Sequence, residues 1–488
     1  MNPEDMFVID EPTFIDRLPP EIADTVCSFL PSRSDIANVR LISRFWTDIA
    51  TPRLFSVVHL IFHPDSFERI TAISRHPVIS QHVTHLFYEP DALIPWRPRG
   101  AWDPLLDFGL PVVTPTEVPA KPNLGASERE YRAYNRASRK PVQERRQLLR
   151  AKGAKGYIEY KKLVAKQEQL RQQDFGAPVI LDALRHFPEL AIVSMSLDRI
   201  FLSRSPYMST KFKAGLCEPS GDHGHSQPWG VPQLRSLLLG SHHAGNRLTK
   251  LTIGDVNWRF LQDEADNMNM MKESLRHLRV LNLNITTIDD AVEHSGLGEM
   301  ASCRNYLASN ALHDFIMAAP DLDSLLIGFD FYMATISATE LRHIVRDHRW
   351  TNLKRVEFGK MDATQADLAN FFSRHASTLR HLGLKDIRLL GQGELVPTLE
   401  HIRKTLSLES ATLRHSLCCE DPPQYWALSK TICRDPFQYE TLGPSSRDED
   451  DGGDLQRLKT SEALSHYLVH GGSCPLLDEE NHPLQPEV

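Results

Sequence analysis

No Cys-x-x-Cys occurs anywhere in the 488 residues. The seven cysteines (Cys27, Cys217, Cys303, Cys418, Cys419, Cys433 and Cys474) are odd in number and scattered, which argues against a disulfide framework or a zinc ribbon and points to free thiols in a reducing compartment. No uninterrupted apolar run reaches the roughly 18 residues that a membrane helix requires. The start, Met1 to Phe14, is acidic and lacks a basic-then-apolar signal region. An intracellular, soluble protein of the cytoplasm, the nucleus or both is therefore expected, with no membrane contact. Walker A loop, Gly-x-Ser-x-Gly elbow and His-Glu-x-x-His helix are all missing. His223 and His225, with Cys217, His242 and His243 nearby, have metal-like composition but no ligand spacing. Neither metal nor other cofactor is expected, and no residue stands out as catalytic. A net charge of −8 also disfavours wholesale nucleic-acid binding.

The chain does hold 41% apolar and 24% charged residues, the composition of a folded protein too long for one ordinary core. Leu18-Pro19-Pro20 is rigid and leads straight into a helical stripe, Ile22, Val26, Phe29 and Leu30, which Pro31 ends. Ser34 or Asp35 is placed to cap a second helix carrying Ile36, Val39 and Ile42. Phe45, Trp46 and Ile49 follow, and Pro52 is expected to stop the run before Leu54 and Phe55. About forty residues cannot enclose this much apolar surface without a metal, a disulfide or a partner. Part of it should be covered by another protein or by the chain behind it.

Residues 16 to 56 resemble an F-box, through Leu18, Pro19, Glu21, Ile22, Leu30, Val39, Arg40, Ser43, Arg44, Trp46, Ile49 and Pro52. The extension Leu54 to Leu60, with Ser66 to Arg69 and Ser74 to Pro77, is similar to F-box proteins of filamentous fungi. The resemblance implies a three-helix module that binds a Skp-family adaptor, and through it a cullin, with Leu18, Pro19, Ile22, Leu30, Val39 and Trp46 at the adaptor interface.

Seven segments share an apolar residue at positions 1, 4 and 6: Leu190/Val193/Met195, Leu234/Leu237/Leu239, Leu248/Leu251/Ile253, Leu278/Leu281/Leu283, Leu322/Leu325/Ile327, Leu353/Val356/Phe358 and Leu379/Leu382/Leu384. Val83/Leu86/Tyr88 is a weaker first copy. This is the strand pattern of leucine-rich repeats, whose units bury their leucines against their neighbours. Helices are expected between the strands over Asn305 to Ala318, Thr339 to Arg346 and Thr364 to Arg374, the last two capped by threonine. With Leu248 omitted, the first-position leucines from Leu190 advance by 44, 44, 44, 31 and 26 residues, against roughly 20 to 29 in regular repeats. The Asn or Cys expected three places beyond the third apolar residue is missing, its place taken by Asp198, His242, Val256, Thr286, Asp330, Met361 and Ile387.

The expected fold is α/β: a three-helix F-box, then an irregular leucine-rich-repeat-like solenoid with insertions. Its divisions are an N-terminus at 1–15, the F-box at 16–60, a linker to the first repeat-like strand at 61–89, and a proline-rich loop with a basic helical insertion at 90–175. The repeats follow at 176–440, and an acidic loop with a mostly flexible tail at 441–488. Arg129 to Arg171 carries 14 Lys or Arg and 4 Glu; its apolar residues Tyr157, Tyr160, Leu163, Val164 and Leu170 would dock it onto the repeats. The expected function is target capture for a ubiquitin ligase, with Arg235, Lys250, Arg279, Asp323, Lys354 and Arg355 pointing outward from the strands towards an unidentified target protein. The alternatives are a repeat scaffold binding protein or RNA outside any ligase, and an enzyme assembled from distant loops.

Overall fold

The computed structural model describes residues 18–30, 32–90, 92–93, 129, 134, 157–158, 160–172, 176–197, 219–220, 230–287, 296–330, 339–421, 423–428 and 452–477. Pro31, most of the 90–126 loop, most of the basic stretch, His223 and His225, most of Ser445 to Asp454, and residues 478–488 lie outside them.

Three helices open the chain: α1 (Pro20–Ser28), α2 (Arg33–Val39) and α3 (Arg44–Phe55). Pro20 sits in the first turn of α1, where its missing N–H costs nothing. The cap of α2 is Ser32, not Ser34 or Asp35. Its Oγ accepts the Asp35 N–H at 3.2 Å and donates to the Asp35 carboxylate at 2.6 Å. Ser43 caps α3. Pro52 does not stop α3, which continues to Phe55; so near the helix end it removes a single backbone bond.

The rest is mixed α/β around one ten-stranded sheet whose strands lie side by side in chain order. They are β1 (Val57–Ile61), β2 (His85–Glu89), β3 (Ile192–Ser196), β4 (Lys250–Asn257), β5 (Val280–Thr286), β6 (Ser324–Asp330), β7 (Arg355–Ala363), β8 (His381–Leu389), β9 (Ser410–Cys419) and β10 (Gln424–Ala427). β1 to β9 are parallel, and β10 pairs antiparallel to β9 at the edge of this sheet. Sequential parallel strands need right-handed crossovers, which put the connecting helices on one face.

The apolar template sets the register. Its fourth positions, Val58, Leu86, Val193, Leu251, Leu281, Leu325, Val356, Leu382 and Ala411, are successive pairing partners across nine strands. So are the sixth positions, from Leu60 and Tyr88 through to Leu384 and Leu413. A one-residue slip would turn all of these out of the core they share with the helices. One expected copy is wrong. Leu234, Leu237 and Leu239 lie on helix α6 (Val231–Ala244), not on a strand. Leu234, Leu237 and Leu238 stand at i, i+3 and i+4, the face of a helix, and Pro232 with the left-handed Gly245 bounds it. The Leu248 copy is the real strand, so Leu248 to Leu278 is 30 residues, Leu353 to Leu379 is 26 and Leu379 to Leu408 is 29.

The other helices are α4 (Pro64–Arg75), α5 (Gly176–Arg185), α7 (Ala265–Glu273), α8 (Gly296–Ala308), α9 (Ala311–Ile316), α10 (Leu341–Ile344), α11 (Gln365–His375), α12 (Leu395–Thr405) and α13 (Gly452–His470). The helix expected over Asn305 to Ala318 is two, broken where Asn310 turns left-handed at φ 71°. Thr364 caps α11 in a reciprocal box with Asp367, whereas α10 starts after Glu340 without a side-chain cap. α13 stands where a flexible tail was expected. Its Leu464, Tyr467 and Leu468 are buried, and Ser461 donates to the Leu413 carbonyl, so it closes the core beyond β9. Residues 160–172 are helical, with Tyr160 and Leu170 buried and Gln167 donating to the Phe62 carbonyl at 2.7 Å. No helix among the described residues is long and apolar enough to cross a membrane.

Candidate functional site

Helix α1 buries its small side chains and exposes its large ones. Ala23 and Cys27 are closed into a core with Trp46 and Ala50. Ile22, Val26 and Phe29, on the opposite stripe, are 50%, 43% and 81% exposed. In the turn between α2 and α3, Leu41 and Ile42 are 82% and 61% exposed. Of the seven large apolar side chains found exposed among the described residues, five belong to this module. The turn is held from behind. Thr47 Oγ1 donates to the Arg40 carbonyl at 2.6 Å, Arg40 Nε donates to Thr51 Oγ1 at 3.0 Å, and its guanidinium lies 5.4 Å from the Phe55 ring centre. Asp24 and Arg53 clasp α1 to α3 with contacts of 2.5 and 2.7 Å. The module therefore has a core of its own, with its apolar face displayed outside it.

The six family-derived interface residues divide accordingly. Pro19 and Ile22 are exposed, and Leu18, Leu30 and Val39 are half-buried against the small core. Trp46, at 3% exposure, belongs to that core, so it supports the surface rather than forming it. Val26, Phe29, Leu41 and Ile42 were not among the six, although the first two lie on the stripe visible in the sequence.

The second surface is the face of the sheet opposite the core that positions 4 and 6 share with the helices, lined by positions 3, 5 and 7 of each unit. Lys250 and Arg355 stand on it at position 3, with Arg355 Nη2 3.8 Å from Glu357 Oε2. Arg279, Asp323 and Lys354 occupy position 2, where the parallel ladder begins, and Arg279 pairs with Asp323 at 3.1 Å. They rim the face rather than line it. Arg235 is not on it, because α6 carries it to Asp263 at 3.5 Å.

Position 8 shows what the sequence reading missed. In β4, β7, β8 and β9 it is Asp255, Lys360, Asp386 and His415, all non-glycine residues with φ between 50° and 64°. Each marks an extra residue in the strand, a bulge. Val256, Met361 and Ile387 at position 9 return to the core, while positions 7 and 8 are both left outside it. This is why the ladder Asn or Cys is absent there: the bulge turns an apolar residue into that place. β5 and β6 lack the bulge, and their Ile285 and Phe329 are buried at position 8.

The bulges assemble a polar row. Asn284 donates to Asp255. Ser416 Oγ donates to Asp386 Oδ1 at 2.8 Å, and His415 Nδ1 lies 3.5 Å from Asp386 Oδ2. Burial, reinforced by Lys385, Lys360 and Arg414 and opposed by Asp386, pushes His415 down to about 4. Further along, Arg388 grips the buried Asp362 at 2.9 and 2.6 Å, and Arg304 of α8 adds a contact at 3.2 Å. Asp386 takes both contacts, so Ser416 is not bonded to His415 as a nucleophile to its base would be. Burial pushes the Cys418 thiol up to about 11, away from reactivity. No group of three or more metal-ligating side chains occurs among the described residues.

At the other end, Glu89 in β2 is 1% exposed, and neither carboxylate oxygen has a hydrogen-bond partner among the described residues. Burial alone pushes it up to about 7. His59 on the neighbouring β1 and His85 at the start of β2 itself are both driven down to about 4, chiefly by burial. No known protein-family model matches the chain, and no curated protein matches it significantly.

Proposed function

We propose that this chain is the substrate-recognition subunit of a Skp–cullin–F-box ubiquitin ligase. In this reading the N-terminal module is the F-box and the sheet is an irregular leucine-rich-repeat-like target receptor, acting in the cytoplasm, the nucleus or both. The observation that carries it is the inverted helix α1, with Ala23 and Cys27 inside and Ile22, Val26 and Phe29 outside. Burying one such large apolar side chain is worth roughly 1.5–3 kcal/mol, and a soluble chain gains nothing by leaving five exposed together. A Skp-family adaptor seated on Ile22, Val26, Phe29, Leu41 and Ile42 recovers that energy and connects the chain to a cullin. The open sheet face holds the target. The chain supplies proximity, raising the target's effective concentration at the transferring enzyme to about the millimolar range, and not chemistry.

The test is capture of a recombinant Skp-family adaptor by the full chain. Wild type should retain it. Ile22→Asp/Phe29→Asp should lose it with an unchanged helical circular-dichroism signal. Absence of capture by wild type, or equal capture by the variant, refutes the reading.

A further inference from the structure

The N-terminal end of the sheet is closed on both sides. Leu60 and Tyr88 face the shared core, while Ile61, Phe87 and Glu89 alternate to the opposite face, and there they are still only 0%, 7% and 1% exposed. Glu89 thus sits in an apolar enclosure with both carboxyl oxygens unpartnered among the described residues. Burying an unpaired carboxylate is far costlier than burying the neutral acid, so the closed fold holds Glu89 with its proton on.

Its place on the strand makes it releasable. The ladder between β2 and β3 ends at Tyr88 and Met195, so Glu89 is paired on one side only, with Ile61 of β1. Past it, Ala92 and Leu93 are held by a two-residue ladder to Ser220 and Pro219. β1 is fixed more firmly: Ser66 Oγ accepts the Ile61 N–H at 3.1 Å, and Arg69 of α4 donates to the His59 carbonyl. A strand end with so few bonds opens locally at a lower cost than the whole fold.

The neighbouring groups leave control with Glu89. On the same face, His59 of β1 and His85 of β2 are driven to about 4 and stay neutral from pH 6 upward. β3 brings Ser194, 3.0 Å from His85 Nε2. His63, beyond β1, is taken up by Asp65, whose N–H donates to Nδ1 at 3.2 Å. The helix at 160–172 reaches this end through the uncharged Gln167. No charge among the described residues bears on Glu89.

We propose that Glu89 is a proton-operated latch: with its proton it keeps the end of β2 sealed, and loss of that proton to solvent releases it. A neutral side chain would seal this end at every pH, whereas a carboxyl makes the seal conditional. With an ordinary value of 4.5 when open and about 7 when sealed, the open population rises about tenfold from pH 6 to pH 8. The latch governs access to this end of the sheet face whatever that face binds.

The test is hydrogen exchange of the full chain between pH 6 and pH 8, read by mass spectrometry and corrected for the intrinsic pH dependence of amide exchange. In wild type, protection of residues 85–90 should fall about tenfold across that range. At pH 8 it should lie at least about tenfold below that of β8, residues 381–389, because the opening is local. Glu89→Gln and Glu89→Met, both neutral throughout, should hold protection of 85–90 steady; the second serves if the buried amide of the first disturbs the fold. Wild-type protection that ignores pH, a fall that the neutral variants share, or protection of 85–90 equal to that of β8 at pH 8 overturns the proposal.

Discussion

Ile22 and Ala23 are consecutive on α1, yet Ile22 is half exposed and Ala23 wholly enclosed. The helix thus directs its bulk away from its own core. Ile22→Gln should change stability by less than about 1 kcal/mol. Ala23→Leu, forced into the closed side, should cost about 1–3 kcal/mol. Chemical denaturation followed by helical signal separates them; equal losses would place Ile22 inside the core.

Asp362 is the hub between β7, β8 and α8, holding Arg388 and Arg304 while 1% exposed. Asp362→Asn keeps the shape and removes the charge. Because the two arginine side chains are 32% and 39% exposed, water offsets part of the loss. The expected cost is roughly 2 kcal/mol, read as a lower urea midpoint with an unchanged slope. No shift would mean the network contributes nothing.

Glu89 gives stability an unusual pH dependence. In the folded chain it keeps its proton up to about 7, against an ordinary value of 4.5. Unfolded, it ionises from about 4.5 upward, so the unfolded state holds fewer protons between those limits. Stability therefore falls as pH rises across that window, and the full cost, on the order of 3 kcal/mol, is present above pH 7. Glu89→Gln should match wild type near pH 4.5 and be more stable at pH 8. Equal melting temperatures at pH 8 would contradict the account.

The ladder was legible because leucine at positions 1, 4 and 6 is also the register of the sheet. It broke down where the pattern was ambiguous: Leu234 to Leu239 satisfies a helix too. The strands β1 and β9 escaped notice although Phe55/Val58/Leu60 and Leu408/Ala411/Leu413 also place apolar residues at positions 1, 4 and 6. The bulges had a readable trace. Ile253 to Val256, Phe358 to Met361 and Leu384 to Ile387 skip two residues, where Leu283 to Ile285 and Ile327 to Phe329 skip one. What could not be read is which side of α1 faces inward. The periodicity locates a stripe but not its partner, and here the core chose the small side.

The most direct measurement is a calorimetric titration of the purified full chain with a purified Skp-family adaptor at several temperatures. The account predicts saturable binding with a negative heat-capacity change from apolar burial. It also predicts at least about thirtyfold weaker affinity for Phe29→Asp. A flat isotherm for wild type, or one that Phe29→Asp leaves unaltered, would contradict it.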